Sequence, residues 1–354
     1  MRGSDEHSFF DAAVAPPGDR LSDYTIADTD LDALIISSSP HDHPAPYRLL
    51  GTAAMAETKA RSTVIVSCPH AGRHYPKELV AAGSLGLEAL RDLEDFAVDA
   101  LLDDLRYTTI GGICNHIARA YIDVNRPDDA IDQAMFDEPV TAAKQTRKVI
   151  AGYGLLPRLT SARASIHDRQ LQVDVVNRRI QRAYRPYHDK LQQLLGNTID
   201  THGHYLLVDC HSMPATDQYN RQLPDIILGD CHGRTLAPSI GKQIDDFIRS
   251  KNFTVDWNTP YAGGYITSHY GNATGPGQSL QIEINRSLYK RRPYQIDASG
   301  AARVTALLTS LLQFLDSILH ITTLGPLESL LLSEQHLASH QCNFPGPRAH
   351  YTQH

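Results

Sequence analysis

The sequence predicts an α/β fold with a mostly parallel β-sheet, and three observations support this prediction. Short apolar, β-branched runs such as residues 62–67 and 279–286 have the length and composition of buried strands. A segment with helical periodicity, residues 168–195, precedes the next apolar run, as the crossover between parallel strands requires. Histidines and acids end several of these runs, and this is where open α/β sheets bind their ligands.

The 354 residues allow one large domain or two, and we assign the folded body to residues 46–320. Residues 1–45 are rich in Asp, Ser, Pro and His and show little periodicity, which predicts an extended or partly ordered leader. Residues 321–354 carry many histidines, glutamines and prolines, and they predict a weakly ordered C-terminal tail.

In the first half of the body, the apolar run at residues 62–67 predicts a strand. Apolar residues recur near every 3.6 positions from 76 to 105, which predicts a helix. Residues 120–127 alternate between apolar and polar and stop at a proline, which is typical of a strand. The helix predicted at residues 168–195 is expected to break or kink at Pro186.

The second half of the body follows the same reasoning. Apolar runs bounded by turn residues predict strands at residues 205–208, 224–230, 255–259 and 279–286. Helical periodicity predicts helices at residues 236–250 and 301–319. Residues 260–267 form a glycine-bearing loop whose backbone can approach a ligand closely.

Composition argues against several classes of function. The net charge of -7 does not suit a nucleic-acid or anionic-membrane surface. No stretch approaches about 18 consecutive apolar residues, and the N-terminus has no apolar signal segment, so neither a membrane span nor a secretory signal is expected. The five cysteines form no C-x-x-C pair, which favours reduced, buried thiols and a cytoplasmic location.

Histidines at the ends of two predicted strands, His70 and His211, suggest a metal site. Neutral imidazole is the commonest protein ligand of zinc, and a catalytic zinc needs about three protein ligands plus an open position for water. We expect the third ligand from the acidic segment after His70 and choose Asp95. No H-E-x-x-H pattern decides the matter, so Asp92, Glu94, Asp99 and His74 compete with it.

Glu283 is the strongest candidate for the general acid and base. It lies within a predicted apolar strand, where burial raises the pKa of a carboxylate and lets it take a proton from a metal-bound water. The alternative is a buried salt bridge to Arg286 or Arg126. Arg126 and Arg119 each offer a two-pronged donor for a substrate carboxylate, or else a structural contact to a helix C-terminus.

Covalent catalysis by a serine or cysteine is a weaker interpretation. Ser212 follows His211 directly, but it lies outside any G-x-S-x-G elbow and on the opposite face of the strand. Cys68 and Cys210 precede histidines within apolar runs and are more simply explained as core residues. Metal-assisted hydrolysis is therefore the favoured chemistry.

Seven short motifs follow one another along residues 46–318. They are PHAG at 69–72, EDFAVD at 94–99, ARAYIDVNRP at 118–127, DCHSMP at 209–214, PDIILGD at 224–230, YAGGYIT at 261–267 and QIEINRSLY at 281–289. In this order they resemble the N-formylglutamate amidohydrolase family. Each motif is loose by itself, and it is the shared order that carries the resemblance.

The resemblance implies a single three-layer α/β/α domain with a mixed, mostly parallel sheet, a phosphorylase/hydrolase-like fold akin to the zinc exopeptidases. It also implies one zinc ion held by His70, Asp95 and His211, with Glu283 and Arg126 as catalytic residues. The implied substrate contacts are Asn125, Arg126, Arg119, Ser212, Gly264 and Tyr265. One departure is that Arg73 stands three positions after His70, where the zinc carboxypeptidases carry a glutamate ligand.

The function implied by the resemblance is a metal-dependent amidohydrolase that cleaves the amide of an N-acylated acidic amino acid, with formyl as the expected acyl group. The alternatives are a zinc hydrolase of other N-acyl amino acids, peptides or cell-wall amides, and a non-catalytic relative that binds an acidic ligand. The expected partner is a small-molecule substrate, with neither nucleic acid nor membrane. The sequence leaves the oligomeric state and the exact acyl group open.

Overall fold

The computed structural model describes residues 34–36, 45–51, 53, 60–141, 143–292 and 294–323. Most of the predicted leader and nearly all of the predicted tail lie outside these residues. Where the two segments are described, residues 35–36 of the leader form a short strand, and the last helix continues three residues past position 320.

Helices separate most of the strands that form the main sheet. The strands are β1 (Ile35–Ile36), β2 (Tyr47–Gly51), β3 (Val64–Cys68), β4 (Tyr75–Pro76), β5 (Gly111–Asn115), β6 (Tyr205–Met213), β7 (Ile226–Gly229), β8 (Val255–Trp257), β9 (Gly277–Asn285), β10 (Lys290–Arg292) and β11 (Gln295–Ile296). The α-helices are α1 (Lys77–Val80), α2 (Leu87–Arg91), α3 (Val98–Leu101), α4 (Arg147–Ile150), α5 (Asp174–Arg179), α6 (Arg185–His202), α7 (Pro238–Ser250), α8 (Tyr265–Tyr270) and α9 (Ala298–Thr323). Short 3-10 helices lie at Asp103–Tyr107, Gln133–Met135 and Arg286–Leu288, and a π-helical turn lies at Ile180–Tyr184.

The main sheet has seven strands in the order β2-β5-β3-β6-β9-β7-β8. Its central neighbours β5, β3, β6 and β9 are mutually parallel. The edge strand β2 runs antiparallel to β5, and β7 runs antiparallel to β9. The predicted mixed, mostly parallel sheet is therefore confirmed, and the parallel centre brings the carboxyl ends of β3, β6 and β9 to one edge.

Hydrophobic side chains cover both faces of this sheet. Val64 and Val66 of β3 belong to one core cluster, whereas Ile65 between them belongs to the other, as the two-residue period of a strand requires. Helix α9 packs on the first face against α3, α7 and β3, and α6 packs on the second against β3, β5 and β6. The α/β domain is thus a sheet between two helical layers.

Helix α9 is long and apolar enough over Ala298–His320 to match a membrane span by length and composition. Its inward positions, among them Leu308, Leu311 and Leu315, are nevertheless buried in the core beneath the sheet. A buried core helix of an α/β domain can have the same length and composition, so this match does not by itself indicate a membrane.

The four described cysteines are free and buried: Cys68, Cys114, Cys210 and Cys231. This confirms the prediction of unpaired core thiols at those positions. Cys342 lies outside the described residues.

The helix predicted at residues 76–105 was wrong in its continuity. The chain instead forms α1, α2, α3 and a 3-10 turn. Ala97, just before α3, has a left-handed backbone with φ 60°, and the Asp95 amide donates to the His70 carbonyl at 2.9 Å. Because this tertiary hydrogen bond and the left-handed residue interrupt the helical ladder, the segment turns toward the end of β3.

The strand predicted at residues 120–127 was also wrong, because this stretch is a buried loop. Side chains and the backbone of other loops, rather than a neighbouring strand, satisfy its backbone groups. Arg179 donates to the Tyr121 carbonyl at 2.7 Å, and His188 Nε2 lies 2.8 Å from the Val124 carbonyl. A buried loop of this kind is stable only when such partners are present, and a sequence pattern cannot show them.

The long helix before β6 begins at Asp174 and not at residue 168. The predicted break at Pro186 takes the form of a π-helical turn, Ile180–Tyr184, which ends just before the proline. Proline cannot donate to the carbonyl four residues earlier and its ring crowds that carbonyl, so a local widening of the helix relieves the conflict.

Candidate active site

A cavity of about 540 Å³ opens at the carboxyl ends of β3, β6 and β9. His70 lies two residues beyond the end of β3, His211 lies in β6, and Glu283 lies in β9. His211 and Glu283 are directly paired in the parallel register of β6 and β9, so their side chains leave the same face of the sheet. The sheet register therefore brings together residues that are far apart in sequence.

His70, Asp95 and His211 form a buried cluster in which one ligand atom from each residue lies within 4.8 Å of the others. The two Nδ1 atoms of His70 and His211 are 3.1 Å apart. Asp95 Oδ2 lies 2.8 Å from His211 Nδ1 and 3.4 Å from His70 Nδ1. This is the same trio that the family resemblance implies as metal ligands.

Two further carboxylates contact the outer nitrogens of these histidines. Asp123 Oδ1 lies 2.6 Å from His70 Nε2, and Asp209 Oδ2 lies 2.9 Å from His211 Nε2. When both imidazoles are neutral, each Nε2 donates its proton to its carboxylate, and the two Nδ1 atoms face Asp95 as lone-pair acceptors. Three acceptors this close to one another repel unless a cation or protons lie between them, so the donor set fits a divalent metal ion.

The electrostatics of the trio agree with this assignment. Burial alone would raise the pKa of Asp95, but the hydrogen bonds from His211 and His70 hold it well below its usual range. Burial alone would lower the pKa of His211, but the charges of Asp209 and Asp95 raise it well above its usual range. The trio of His70, Asp95 and His211 therefore holds a proton strongly, and a bound cation can take the place of that proton.

Two acids that compete with Asp95 in the sequence have different partners in the structure. Glu94 pairs with Arg91 at 3.0 Å and accepts from the Tyr75 hydroxyl at 2.6 Å. Asp99 pairs with Arg48 at 3.4 Å. Both are therefore occupied as counterions away from the histidines.

Asp92 and His74, the remaining candidates for the third ligand, also lie apart from the trio. Asp92 is exposed and lines the cavity, whereas His74 lies beside His116 with ring centroids 5.1 Å apart. Burial, with His116 and Arg73 adding to it, lowers the pKa of His74 to about 4.

Glu283 lines the cavity with its side chain almost wholly buried, at 7% exposure. Burial raises its pKa to about 7, while the nearby His211 opposes this rise and Asp95 adds to it. Its Oε1 accepts a hydrogen bond of 2.9 Å from Gln281. A carboxyl group with a pKa near neutral can both take and return a proton, as a general acid and base must.

Neither arginine suggested as a salt-bridge partner of Glu283 is committed to it. Arg286 donates to Asp95 Oδ1 at 3.1 Å and to Ser212 Oγ at 2.9 Å. Arg126 donates to the carbonyl oxygens of Tyr153 at 2.9 Å and of its neighbour Asn125 at 2.8 Å.

Among the implied substrate contacts, Arg126, Arg119, Asn125, Ser212 and Gly264 line the cavity. Arg119 is paired with Asp123 at 2.9 Å, and Arg126 reaches the same carboxylate only at 3.6 Å. Ser212 and His211 both line the cavity, although the sequence predicted that Ser212 leaves the opposite face of the strand. The Ser212 hydroxyl accepts a hydrogen bond from Arg286.

Asn125 is held from both ends of its amide. It donates to Asp209 Oδ2 at 3.2 Å and accepts from the Ile266 amide at 2.7 Å. A Cβ on Gly264 would lie only 2.4 Å from Asn125 Nδ2, so the glycine is needed for this close approach. The structure thus gives Asn125 a positioning contact to the carboxylate behind His211.

Tyr265 is not among the residues that line the cavity. It begins α8, and its ring stacks on His269 with centroids 4.8 Å apart and meets the edge of His188 at 5.8 Å. The loop is therefore shorter than the predicted range 260–267, because α8 starts at Tyr265 and the Tyr265 ring packs against His269 and His188.

The sequence reasoning assigned no role to Asp123 or Asp209, which orient the two histidines. One signal was available for Asp209, since a residue two positions before His211 in a strand shares its face. For Asp123 there was none, because its contact with His70 joins a loop to a different strand end.

Replacing Asp123 with asparagine is expected to weaken metal binding by about 10- to 100-fold, because His70 loses the carboxylate that fixes its tautomer. Competition titration with a metal-binding dye on the purified variant measures this change. An unchanged dissociation constant would show that Asp123 does not orient a ligand.

The chain resembles a set of known proteins over this same region. A profile of the family described as N-formylglutamate amidohydrolase matches residues 62–290. The N-formylglutamate deformylase of Pseudomonas putida is 26% identical over 266 residues, which cover 73% of this chain and 93% of that protein. The corresponding deformylase of Pseudomonas aeruginosa is 23% identical over 264 residues, with 73% and 94% coverage.

A solved structure of the same family is also similar to this chain. The crystal structure of an N-formylglutamate amidohydrolase from Ralstonia eutropha JMP134 matches with a TM-score of 0.71 and 32% sequence identity, covering 78% of this chain and 99% of that one. The range matched by the family profile contains His70, Asp95, His211 and Glu283. The chain belongs to the N-formylglutamate amidohydrolase family, and it is a hydrolase that acts on carbon–nitrogen bonds other than peptide bonds.

Proposed function

We propose that this amidohydrolase is zinc-dependent and removes the acyl group, preferably formyl, from an N-acylated acidic amino acid such as N-formylglutamate. The observation that carries the proposal is the cluster of three acceptors, His70 Nδ1, Asp95 Oδ2 and His211 Nδ1, in one cavity with Glu283. Two nitrogens and one carboxylate oxygen are a common ligand set for a catalytic zinc, which keeps a position open for water.

A zinc ion bound there would lower the pKa of a water molecule and polarise the amide carbonyl. Glu283 would take the proton from that water and pass it to the leaving nitrogen, a double role that its pKa of about 7 permits. Asp123 and Asp209 would hold the two histidines in one tautomer throughout the reaction. Arg286, bonded to Asp95 and Ser212, would keep the carboxylate ligand in place.

Arg126 is the proposed anchor for the α-carboxylate of the substrate. Its Nε and one terminal nitrogen are held by carbonyl oxygens, and the other terminal nitrogen lies 3.6 Å from Asp123, beyond a good hydrogen bond. A guanidinium fixed in this way is preorganised for a carboxylate, because it loses little rotamer freedom on binding.

Metal analysis followed by a substrate panel tests the proposal. We expect the purified protein to carry about one zinc per chain, to lose activity on treatment with a chelator, and to regain it with added zinc. Among N-formyl, N-acetyl and longer N-acyl forms of glutamate and of neutral amino acids, N-formylglutamate should give the highest kcat/KM.

Three outcomes would contradict parts of the proposal. Full activity without bound metal would exclude the metal-dependent mechanism. A preference for longer acyl groups or for peptides would retain the amidohydrolase and replace the substrate. Binding of N-formylglutamate without turnover, whatever the metal, would favour a ligand-binding role.

A further inference from the structure

The charges that line the cavity do not cancel in pairs. Its cationic side chains are Arg119, Arg126, Lys148 and Arg286. Arg119 is paired with Asp123, and Arg286 is paired with Asp95. Arg126 and Lys148 are left with the weakest protein counterions, so the cavity offers two positive charges to an incoming ligand.

Lys148 differs from the other three cations in its contacts. Within the described ranges, no carboxylate lies within 4.0 Å of its ammonium group. Partial desolvation of the lysine side chain and the positive charge of Arg126 together lower the pKa of Lys148. An anion bound between the two cations would relieve their repulsion, and the exposed lysine side chain can be reached from the open cavity.

Tyr153 links the backbone of Lys148 to the side chain of Arg126. Lys148 lies in α4, whose first turn is capped by the Thr146 hydroxyl, the acceptor of a 3.3 Å hydrogen bond from the Val149 amide. The Tyr153 amide donates to the Lys148 carbonyl at 2.9 Å, and the Tyr153 carbonyl accepts from Arg126 Nε at 2.9 Å. Tyr153 thus links the two cations, although Arg126 belongs to the loop of residues 120–127 and Lys148 to α4.

We propose that Lys148 receives the side-chain carboxylate of a dicarboxylic substrate and so determines the preference for N-acylated acidic over neutral amino acids. This inference rests on the proposed function, in which Arg126 receives the α-carboxylate. Two carboxylates separated by a short aliphatic chain can each meet one of two cations that line the same cavity. A neutral side chain would leave the Lys148 charge without a counterion in the bound complex, which disfavours such substrates.

The test compares Lys148→Met with Lys148→Arg and with the matched control Lys144→Met. Lys144 is an exposed lysine just before α4 and is not among the residues that line the cavity. For each protein, kcat/KM is measured with N-formyl-L-glutamate and with N-formyl-L-norvaline, in which a methyl group replaces the side-chain carboxylate. Calorimetric binding of glutarate and of pentanoate, which differ in the same way, gives a readout that does not need turnover.

We expect Lys148→Met to lower the ratio of kcat/KM for the glutamate over the norvaline substrate by roughly 10- to 100-fold, the usual value of one hydrogen bond between charged groups. The loss should appear mainly in KM, since the contact is equal in the ground and transition states. Lys148→Arg should retain most of the ratio, and Lys144→Met should match the wild type. The preference for glutarate over pentanoate should fall in parallel.

A ratio within a factor of two of wild type in Lys148→Met, or an equal loss in Lys144→Met, would overturn the inference. If the wild type hydrolyses neither substrate, the proposed function fails, and the binding experiment then decides about Lys148 alone. In that case, loss of the glutarate preference in Lys148→Met supports the inference, and an unchanged preference overturns it.

Discussion

Replacing Glu283 with glutamine is expected to lower kcat/KM by about a thousandfold, within the range that general acid–base groups contribute. Glutamine has the same shape and can still accept the hydrogen bond from Gln281. It cannot, however, take a proton from water at neutral pH or return one to a leaving nitrogen. The fold and the bound metal should therefore survive while the proton transfer is lost.

Steady-state kinetics with N-formylglutamate, combined with metal analysis of the same sample, measures this effect. The matched control is Glu88→Gln, which makes the same change at an exposed glutamate in α2, outside the cavity. Glu88→Gln should behave as wild type. If Glu283→Gln kept more than a tenth of the wild-type activity, Glu283 would have no essential part in the proton transfer.

Replacing His211 with alanine is expected to produce the second large effect, the loss of stoichiometric metal. Among the residues that the structure describes, His211 supplies one of three candidate ligand atoms, and its Nδ1 lies 2.8 Å from Asp95. Loss of an outer partner of a ligand weakens metal binding about 10- to 100-fold, so loss of the ligand itself should exceed this, at roughly a thousandfold or more. As the metal is lost, turnover should fall below detection.

Metal content after dialysis, measured by mass spectrometry, gives the direct result. The control is His232→Asn, since His232 is exposed, lies outside the cavity and has a left-handed backbone, φ 60°, that asparagine tolerates well. Thermal unfolding of both variants separates lost metal from lost fold. A His211→Ala protein that still bound about one zinc per chain would exclude His211 as a ligand.

Together these results would distinguish the residues that bind the metal from the residues that orient them. His70, Asp95 and His211 present acceptors to one point, and Asp123 and Asp209 fix the orientation of the two imidazoles from behind. The contacts from Asp123 and Asp209 explain how ligands from different elements, a loop and a strand, can keep a fixed orientation. A ligand whose tautomer is set by a buried carboxylate needs no rearrangement when the metal arrives.

Much of the fold could be predicted from the sequence. The strands β3, β6 and β9 each contain an apolar run with a two-residue or continuous pattern, and local composition suffices to indicate that run. The failures were local as well: residues 76–105 and 120–127 have helical and strand-like patterns, but tertiary hydrogen bonds override them. Such bonds join residues distant in sequence, so no local pattern records them.

By itself, then, the sequence determined the α/β class, a mostly parallel sheet, histidines at the ends of two strands and an acid within a third. Only the tertiary structure decided which of the neighbouring acids meets the histidines. Asp95 meets them because its amide donates to the His70 carbonyl and because the left-handed backbone of Ala97 turns the chain. Glu94 and Asp99 instead form salt bridges with Arg91 and Arg48. The register of β6 and β9 likewise placed Glu283 beside His211, a pairing set by packing of the whole sheet.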